Sequence, residues 1–351
     1  MNTLATNVNS GTNYSGTYFL LTTDLTYTYT YAWNSTDYYA SENNFTAIGA
    51  YGNSFKGHFD GGGHTISGIR IYKNGTTNAD QLQGVFGNLS GGSVRNLTVA
   101  DASITGYQQV GAIAGCNNGT IEDCVVASNV GIYRVADNAS KHGGVVGANS
   151  NGNVRRCTSS ATVKSHPKFA NTISAICGGI IGYQSQSQAV NHYVEDNVAL
   201  NVVVISGQSV GGAIIGHRTS DDNLNRLHLS RNYYRNCTIN GSVNATNVGL
   251  GNPAGDMNGA RSVHALTLGT DITATGESVV IGNTTYYASN TTITLGHNNS
   301  TGYLVTYRLN GNALGGNTFT MPNNDNGTVS ATLTPITSFI STRTTMAQVA
   351  R

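Results

Sequence analysis

The chain has 351 residues, of which 10% are charged, 44 are glycine and only four are proline, and its formal net charge is +1. Globular domains carry roughly 25% charged residues, well above this fraction; the four prolines and small net charge argue against a proline-rich disordered linker, and the even balance of sign argues against nucleic acid as the main partner. No run of about 18 apolar residues occurs, which leaves no segment for direct membrane insertion.

Asn, Thr, Ser, Gly and Tyr take the place of charge, and few strong helix formers remain. That composition points to an ordered, extracellular, all-β chain. Met1 to Ser10 is polar and has no signal-peptide core, so the expectation is an excised module whose export signal lies elsewhere. Residues 1–50 read as N-terminal capping strands. Among them, the alternation Thr26-Tyr27-Thr28-Tyr29-Thr30-Tyr31 sorts threonines to one face and tyrosines to the other. Such an edge would cover the first coil of a repeat array.

Residues 51–268 read as that array. A glycine-framed apolar box returns five times, at Gly84 to Gly87, Gly111 to Gly115, Gly143 to Gly147, Gly178 to Gly182 and Gly211 to Gly216. Each box is followed by a second phrase of apolar, polar, polar and small or apolar residues: Val94 to Leu97, Ile121 to Cys124, Val154 to Cys157, Val194 to Asn197 and Tyr234 to Cys237. One such unit cannot bury its apolar residues alone, whereas stacked units share a continuous core and pair each backbone with the next. The last residue of the phrase, Leu97, Cys124, Cys157, Asn197 and Cys237, therefore reads as an interior ladder. Three strands per coil are expected: the box, the phrase and a V-x-V stretch such as Leu97-Thr98-Val99 or Val202-Val203-Val204. The step from box to ladder takes 10, 9, 10, 15 and 21 residues, so one corner grows toward the C-terminus.

Residues 269–335 read as a small β domain with strands near Ser278 to Ile281, Thr291 to Leu295, Tyr303 to Leu309 and Thr328 to Leu333. Residues 336–351 read as a tail or linker. The cysteines look structural: stacked in-register rungs point both Cβ atoms the same way, and no C-x-x-C pair suggests a metal. Cys116 and Cys177 read as buried fillers.

The run Phe55-Lys56-Gly57-His58-Phe59-Asp60-Gly61-Gly62-Gly63-His64-Thr65-Ile66-Ser67-Gly68-Ile69, followed by Gly-Val-Phe-Gly and then Val94-Arg95-Asn96-Leu97-Thr98-Val99, resembles the opening of GLUG-motif surface repeat proteins of Bacteroidales type. Leu309-Asn310-Gly311 and Gly316-Asn317-Thr318-Phe319-Thr320-Met321-Pro322 are similar to short bacterial β-repeats that share such chains. Together the two resemblances imply a right-handed parallel β-solenoid (β-helix) with a small C-terminal β domain, on a secreted or cell-surface repeat protein. They imply no mechanism.

Two stretches stand out as candidate binding sites. Charge is scarce, yet His217, Arg218, Asp221, Asp222, Arg226, His228 and Arg231 crowd into the longest insert, and solenoid inserts map to loops on one face. A metal held there is not expected, since the spacing matches no closed ligand set. The start of the chain offers Tyr27, Tyr29, Tyr31 and Trp33 as flat faces for sugars or proteins, or as a cap over the solenoid end. Glu122-Asp123 and Glu195-Asp196 fall at equivalent coil positions and, if stacked, would make the best acid–base pair in the chain. No nucleophile-elbow, zincin or phosphate-loop pattern occurs, and no cofactor is implied. The expected function is a non-catalytic adhesin or stalk module that binds glycan or a surface protein through solenoid loops and abuts neighbouring modules of the same chain or fibre. The alternatives are a β-helix lyase or glycosidase, and a purely structural self-associating fibre module.

Overall fold

A computed structural model describes residues 1–30, 42–134, 140–164, 175–185, 191–205, 211–218, 226–239, 242–243 and 260–336. It divides into two compact units, residues 1–262 and 263–351.

The first unit is a parallel β-solenoid. Each coil contributes to four walls. The box wall is a five-stranded sheet from Leu82–Gln83 through Gln109–Gly111, Ser140–Gly143 and Ala175–Gly178 to Gly211–Gly212. The long wall is a ten-stranded sheet that starts at Tyr18–Leu20 and His58–Asp60, then takes Phe86–Arg95 and Ala114–Glu122. In later coils each long strand is split in two, as in Ile181–Ser185 with His192–Glu195 and Ile215–Arg218 with Leu227–Ser230. A third wall runs from Leu25–Thr26 and Thr65–Ser67 through Thr98–Ala100 and Val125–Val126 to Asn232–Arg235. A fourth runs from Arg70–Tyr72 through Ala102–Gly106 and Val130–Arg134 to Thr238–Ile239. The expected V-x-V strand is thus two strands: Leu97-Thr98-Val99 enters the third wall and Val202-Val203-Val204 the fourth.

The core consists of columns of in-register side chains. Val94, Ile121, Val154, Val194 and Leu229 stack on the long wall. Ile71, Ile104, Ile132, Val163, Val204 and Ile239 stack on the fourth. Apart from the partly buried Leu229, these side chains are at most 7% exposed. β-Branched residues dominate because they fill a pleated surface with little rotamer loss.

The box glycines serve close backbone approach rather than a special φ. A Cβ at Gly143 would collide with the carbonyl oxygen of Val146 and lie 2.6 Å from the Gly182 nitrogen, and Gly178 repeats this against Ile181 and Gly216. Gly111, Gly143, Gly178 and Gly212 pair in one column, so the fifth box begins at Gly212 and Gly211 takes the place of Cys177.

The corner phrase corrects the ladder. Leu97, Cys124, Cys157 and Asn197 are buried at one corner, just past the left-handed residues Asn96, Asp123, Arg156 and Asp196, whose φ values are 50–59°. In the fifth boxed coil this corner is Leu229-Ser230-Arg231-Asn232, because Val194 pairs with Leu229 and Glu195 with Ser230. Cys237 belongs to the next corner, past Asn236, where its neighbour in the coil before is Val202. In this coil both corners carry the phrase of apolar, polar, left-handed and buried residues, as Leu229-Ser230-Arg231-Asn232 and Tyr234-Arg235-Asn236-Cys237, so the phrase alone cannot tell them apart. Box to ladder in this coil is therefore 16 residues, from Gly216 to Asn232.

The N-terminus also departs from expectation. Asn2–Asn9 is an α-helix rather than a strand, with Ala5 and Val8 each 1% exposed and packed on the solenoid core. Of the threonine–tyrosine alternation only Thr26, at the end of Leu25–Thr26, lies in a strand among the described residues.

The second unit has its own core, built around Ile272, Tyr287, Ile293, Leu295, Tyr307, Met321 and Val329. Its strands are largely antiparallel, with Tyr303–Leu309 running along Gly327–Pro335 and Ser278–Ile281 along Thr284–Ala288.

Candidate functional site

Strand alternation decides what the long wall shows to solvent. Two outward columns run side by side along it. The first reads Tyr18, His58, Ser93, Thr120, Asn153, Tyr193 and His228. The second reads Leu20, Asp60, Arg95, Glu122, Arg155, Glu195 and Ser230.

The second column alternates in charge. Arg95 donates to Asp60 at 2.9 Å, and Arg155 Nε lies 3.1 Å from Glu195. At the adjoining corner Arg156 forks onto Asp123 at 2.7 and 2.8 Å and reaches Glu122 at 2.9 Å. Arg231 does the same to Asp196 at 2.6 and 2.8 Å, with Glu195 at 3.3 Å. Glu122 and Glu195 therefore do not stack on each other, which corrects the expected carboxylate pair: the Arg155-Arg156 coil stands between them and engages both. Asp60 is held below the usual carboxylate range, first by the Gly62 N–H and then by Asn96 and Arg95. A general acid needs a shift in the opposite direction.

The first column has aromatic stacks at both ends. Tyr18 lies on His58 with ring centroids 4.6 Å apart and planes at 22°, and Tyr193 lies on His228 at 4.7 Å and 18°. Between them stand the short side chains of Ser93, Thr120 and Asn153. His58 Nδ1 is 2.9 Å from Ser93 Oγ, Asn153 donates to Thr120 Oγ1 at 3.2 Å, and the Tyr193 N–H donates to Asn153 Oδ1 at 2.9 Å. At the Tyr18 end the two columns enclose a concavity of about 380 Å³.

The residues of the long insert disperse. His217 faces outward and stacks on Tyr183 at 5.5 Å, its pKa lowered by burial and then by the nearby Lys141. Arg218, one residue on, points inward and is 5% exposed, and burial pulls its pKa down. Arg218 is thus corrected from a loop contact to an interior residue, as strand alternation requires. Asp221 and Asp222 lie outside the described residues, and Arg226 is half-buried before the strand resumes. His228 belongs to the aromatic column, and Arg231 is engaged by Asp196 and Glu195 rather than held out for a ligand. Among the described residues no group of three His, Cys, Asp or Glu side chains could hold a metal.

Of the tyrosine-rich start, Tyr27 packs edge-on against Phe45 at 5.1 Å, and the Arg70 guanidinium lies 3.7 Å from the centre of the Tyr29 ring. Tyr31 and Trp33 lie outside the described residues. None of the five cysteines forms a disulfide. Cys124, Cys157, Cys177 and Cys237 are buried, whereas Cys116 is partly exposed in an outward column opposite Asn88, not the buried filler expected.

The outward columns were missed as a site because each contributes only one residue per coil. The signal that finds them is the aligned triplet His58-Phe59-Asp60, Ser93-Val94-Arg95, Thr120-Ile121-Glu122, Asn153-Val154-Arg155 and Tyr193-Val194-Glu195, polar on both sides of a buried residue.

No helix among the described residues is long and apolar enough to cross a membrane. No family model matches the chain, and no solved structure matches it. Over 136 residues, 37% of this chain, it is 36% identical to Halomucin of Haloquadratum walsbyi, and the match covers 1% of that protein's length.

Proposed function

We propose that this chain is a non-catalytic module of an extracellular or cell-surface repeat protein, and that it binds glycan or protein through the outer surface of its solenoid. The observation that carries this reading is the outer face of the long wall, where stacked aromatic rings flank short polar side chains and every carboxylate of the ladder is matched by an arginine. Fixed, neutralised polar groups suit recognition, whereas acid–base hydrolysis of a glycan needs a carboxyl that keeps its proton and a second that does not. The resemblance to GLUG-motif proteins and the partial similarity to Halomucin both favour a surface setting.

The test presents the purified chain to a glycan array and to polysaccharide-degradation assays in parallel. Binding without product formation is expected. Release of reducing or unsaturated ends would move the chain to the β-helix lyase or glycosidase class.

A further inference from the structure

The floor of the outer face is too short-chained to be a protein interface and too evenly charged to attract a polyion. Between His58 and Tyr193 the first column presents Ser93, Thr120 and Asn153, with no large apolar side chain, whereas protein interfaces draw their energy from a desolvated aromatic or aliphatic centre. Beside this floor guanidinium and carboxylate alternate from rung to rung, so the pairs Arg95–Asp60 and Arg155–Glu195 each set an N–H and a carboxylate oxygen side by side across two neighbouring rungs. A carboxylate accepts and a guanidinium donates, so each pair matches two adjacent hydroxyl groups while presenting little net charge. The floor groups already hold one another by hydrogen bonds, which lowers the ordering cost of binding.

The length of the floor is set by the fold. His58 and Tyr193 stand four rungs apart, about 19 Å at the ~4.8 Å spacing of paired strands. That spacing is close to the advance of one pyranose ring along an extended glycan, so one ring falls on each rung. The stacked pairs Tyr18–His58 and Tyr193–His228 rise as apolar shoulders at the two ends, and Tyr18, 79% exposed, closes the deeper end.

We infer that this trough, from Tyr18 and His58 across Ser93 and Thr120 to Asn153 and Tyr193, binds an extended uncharged oligosaccharide lying along the solenoid axis. The inference rests on the reading of the chain as a binding module, and it places the ligand on the sheet face rather than on the corner insert.

The experiment uses the full chain on an array of neutral, uronate-bearing and sulfated hexasaccharides, followed by calorimetric titration of those retained. Three variants are compared: Ser93→Trp, which fills the floor; Tyr18→Ala combined with His58→Ala, which removes a shoulder at an exposed edge; and Arg226→Ser in the insert. Neutral hexasaccharides should bind, and both trough variants should lose about tenfold or more in affinity, with Arg226→Ser unchanged. The paired alanine variant keeps the test valid should Ser93→Trp fail to fold. Retention of sulfated or uronate sugars alone overturns the inference. So does neutral-sugar binding that survives both trough variants, although glycan binding as such then stands. If no sugar binds at all, the trough and the glycan reading of the module fall together.

Discussion

At the residue scale, the interior is not uniformly apolar, and its polar members are tied in columns. Asn149 accepts from Asn117 at 2.7 Å and donates to Gln184 at 2.7 Å and to the Gly152 carbonyl at 2.8 Å, and all three amide side chains are fully buried. Asn149→Ala would leave buried amide groups on the coils either side without their partner, each worth ~1–3 kcal/mol. A loss of about 2–4 kcal/mol in unfolding free energy is expected by urea titration, well above the ~0.5 kcal/mol of a neutral surface change. Asn197 serves the same purpose at the corner, accepting from the Cys157 N–H at 3.0 Å and donating to Asn232 at 2.9 Å.

Cys237 gives a pH-dependent counterpart. Burial pushes its thiol pKa from 9.0 to about 11. Below pH 9 the thiol keeps its proton in both folded and unfolded chains, and its contribution is fully present. Between pH 9 and 11 only the folded chain keeps it, so stability falls with rising pH, by about 1.4 kcal/mol per unit at most. Cys237→Val, which copies its neighbour Val202, should remove up to that much of the slope between pH 9 and 11. An unchanged slope would mean that the thiol is not buried.

At the scale of the element, the box and the corner differ in how plainly the sequence shows them. The boxes were legible because only glycine lets one coil's backbone lie this close to the next. Gly143→Ala should cost about 3 kcal/mol or more, since the added carbon meets the backbone of two coils. Gly315→Ala, where nothing lies within 4 Å, should stay within about 0.5 kcal/mol. Thermal denaturation of the two variants side by side makes the comparison. The corners were legible as a motif but not as a register. Asn96, Asp123 and Arg156 at the first corner, and Asp101, Asn201 and Asn236 at the second, all take positive φ. Each of these is followed by a buried residue that is apolar or small, whereas Asp196 and Arg231 at the first corner are followed by the buried amides Asn197 and Asn232. Local chemistry of this kind specifies a corner and leaves open which one, so Cys237 could be placed only by the pairing of Val202 with its coil.

At the scale of the whole molecule, the two units keep separate cores, one running through the solenoid and one around Ile293, Tyr307 and Val329. Contacts in the solenoid are made coil to neighbouring coil, so its stability accumulates along the stack, while the second unit has an antiparallel core of its own. Calorimetry of the whole chain should show two transitions. Cleaving after Ser262 should leave the upper or lower one in place for the residues 1–262 fragment. A single transition that shifts as a whole on cleavage would show that the units fold as one.

The repeat of glycine and apolar residues determined by itself that this chain is a stacked β-solenoid, because no other arrangement buries five such boxes. The β character of the second unit was legible separately, from strand-like runs such as Tyr303 to Leu309 and Thr328 to Leu333 set between turns. What the tertiary structure decided is which residues share a face. His58 and Tyr193, or Asp60 and Glu195, are more than a hundred residues apart and carry no local mark of their relation. They meet on one wall only because inserts of different length were absorbed between strands whose pairing was kept in register, and that pairing is a property of the stacked backbone rather than of any one coil.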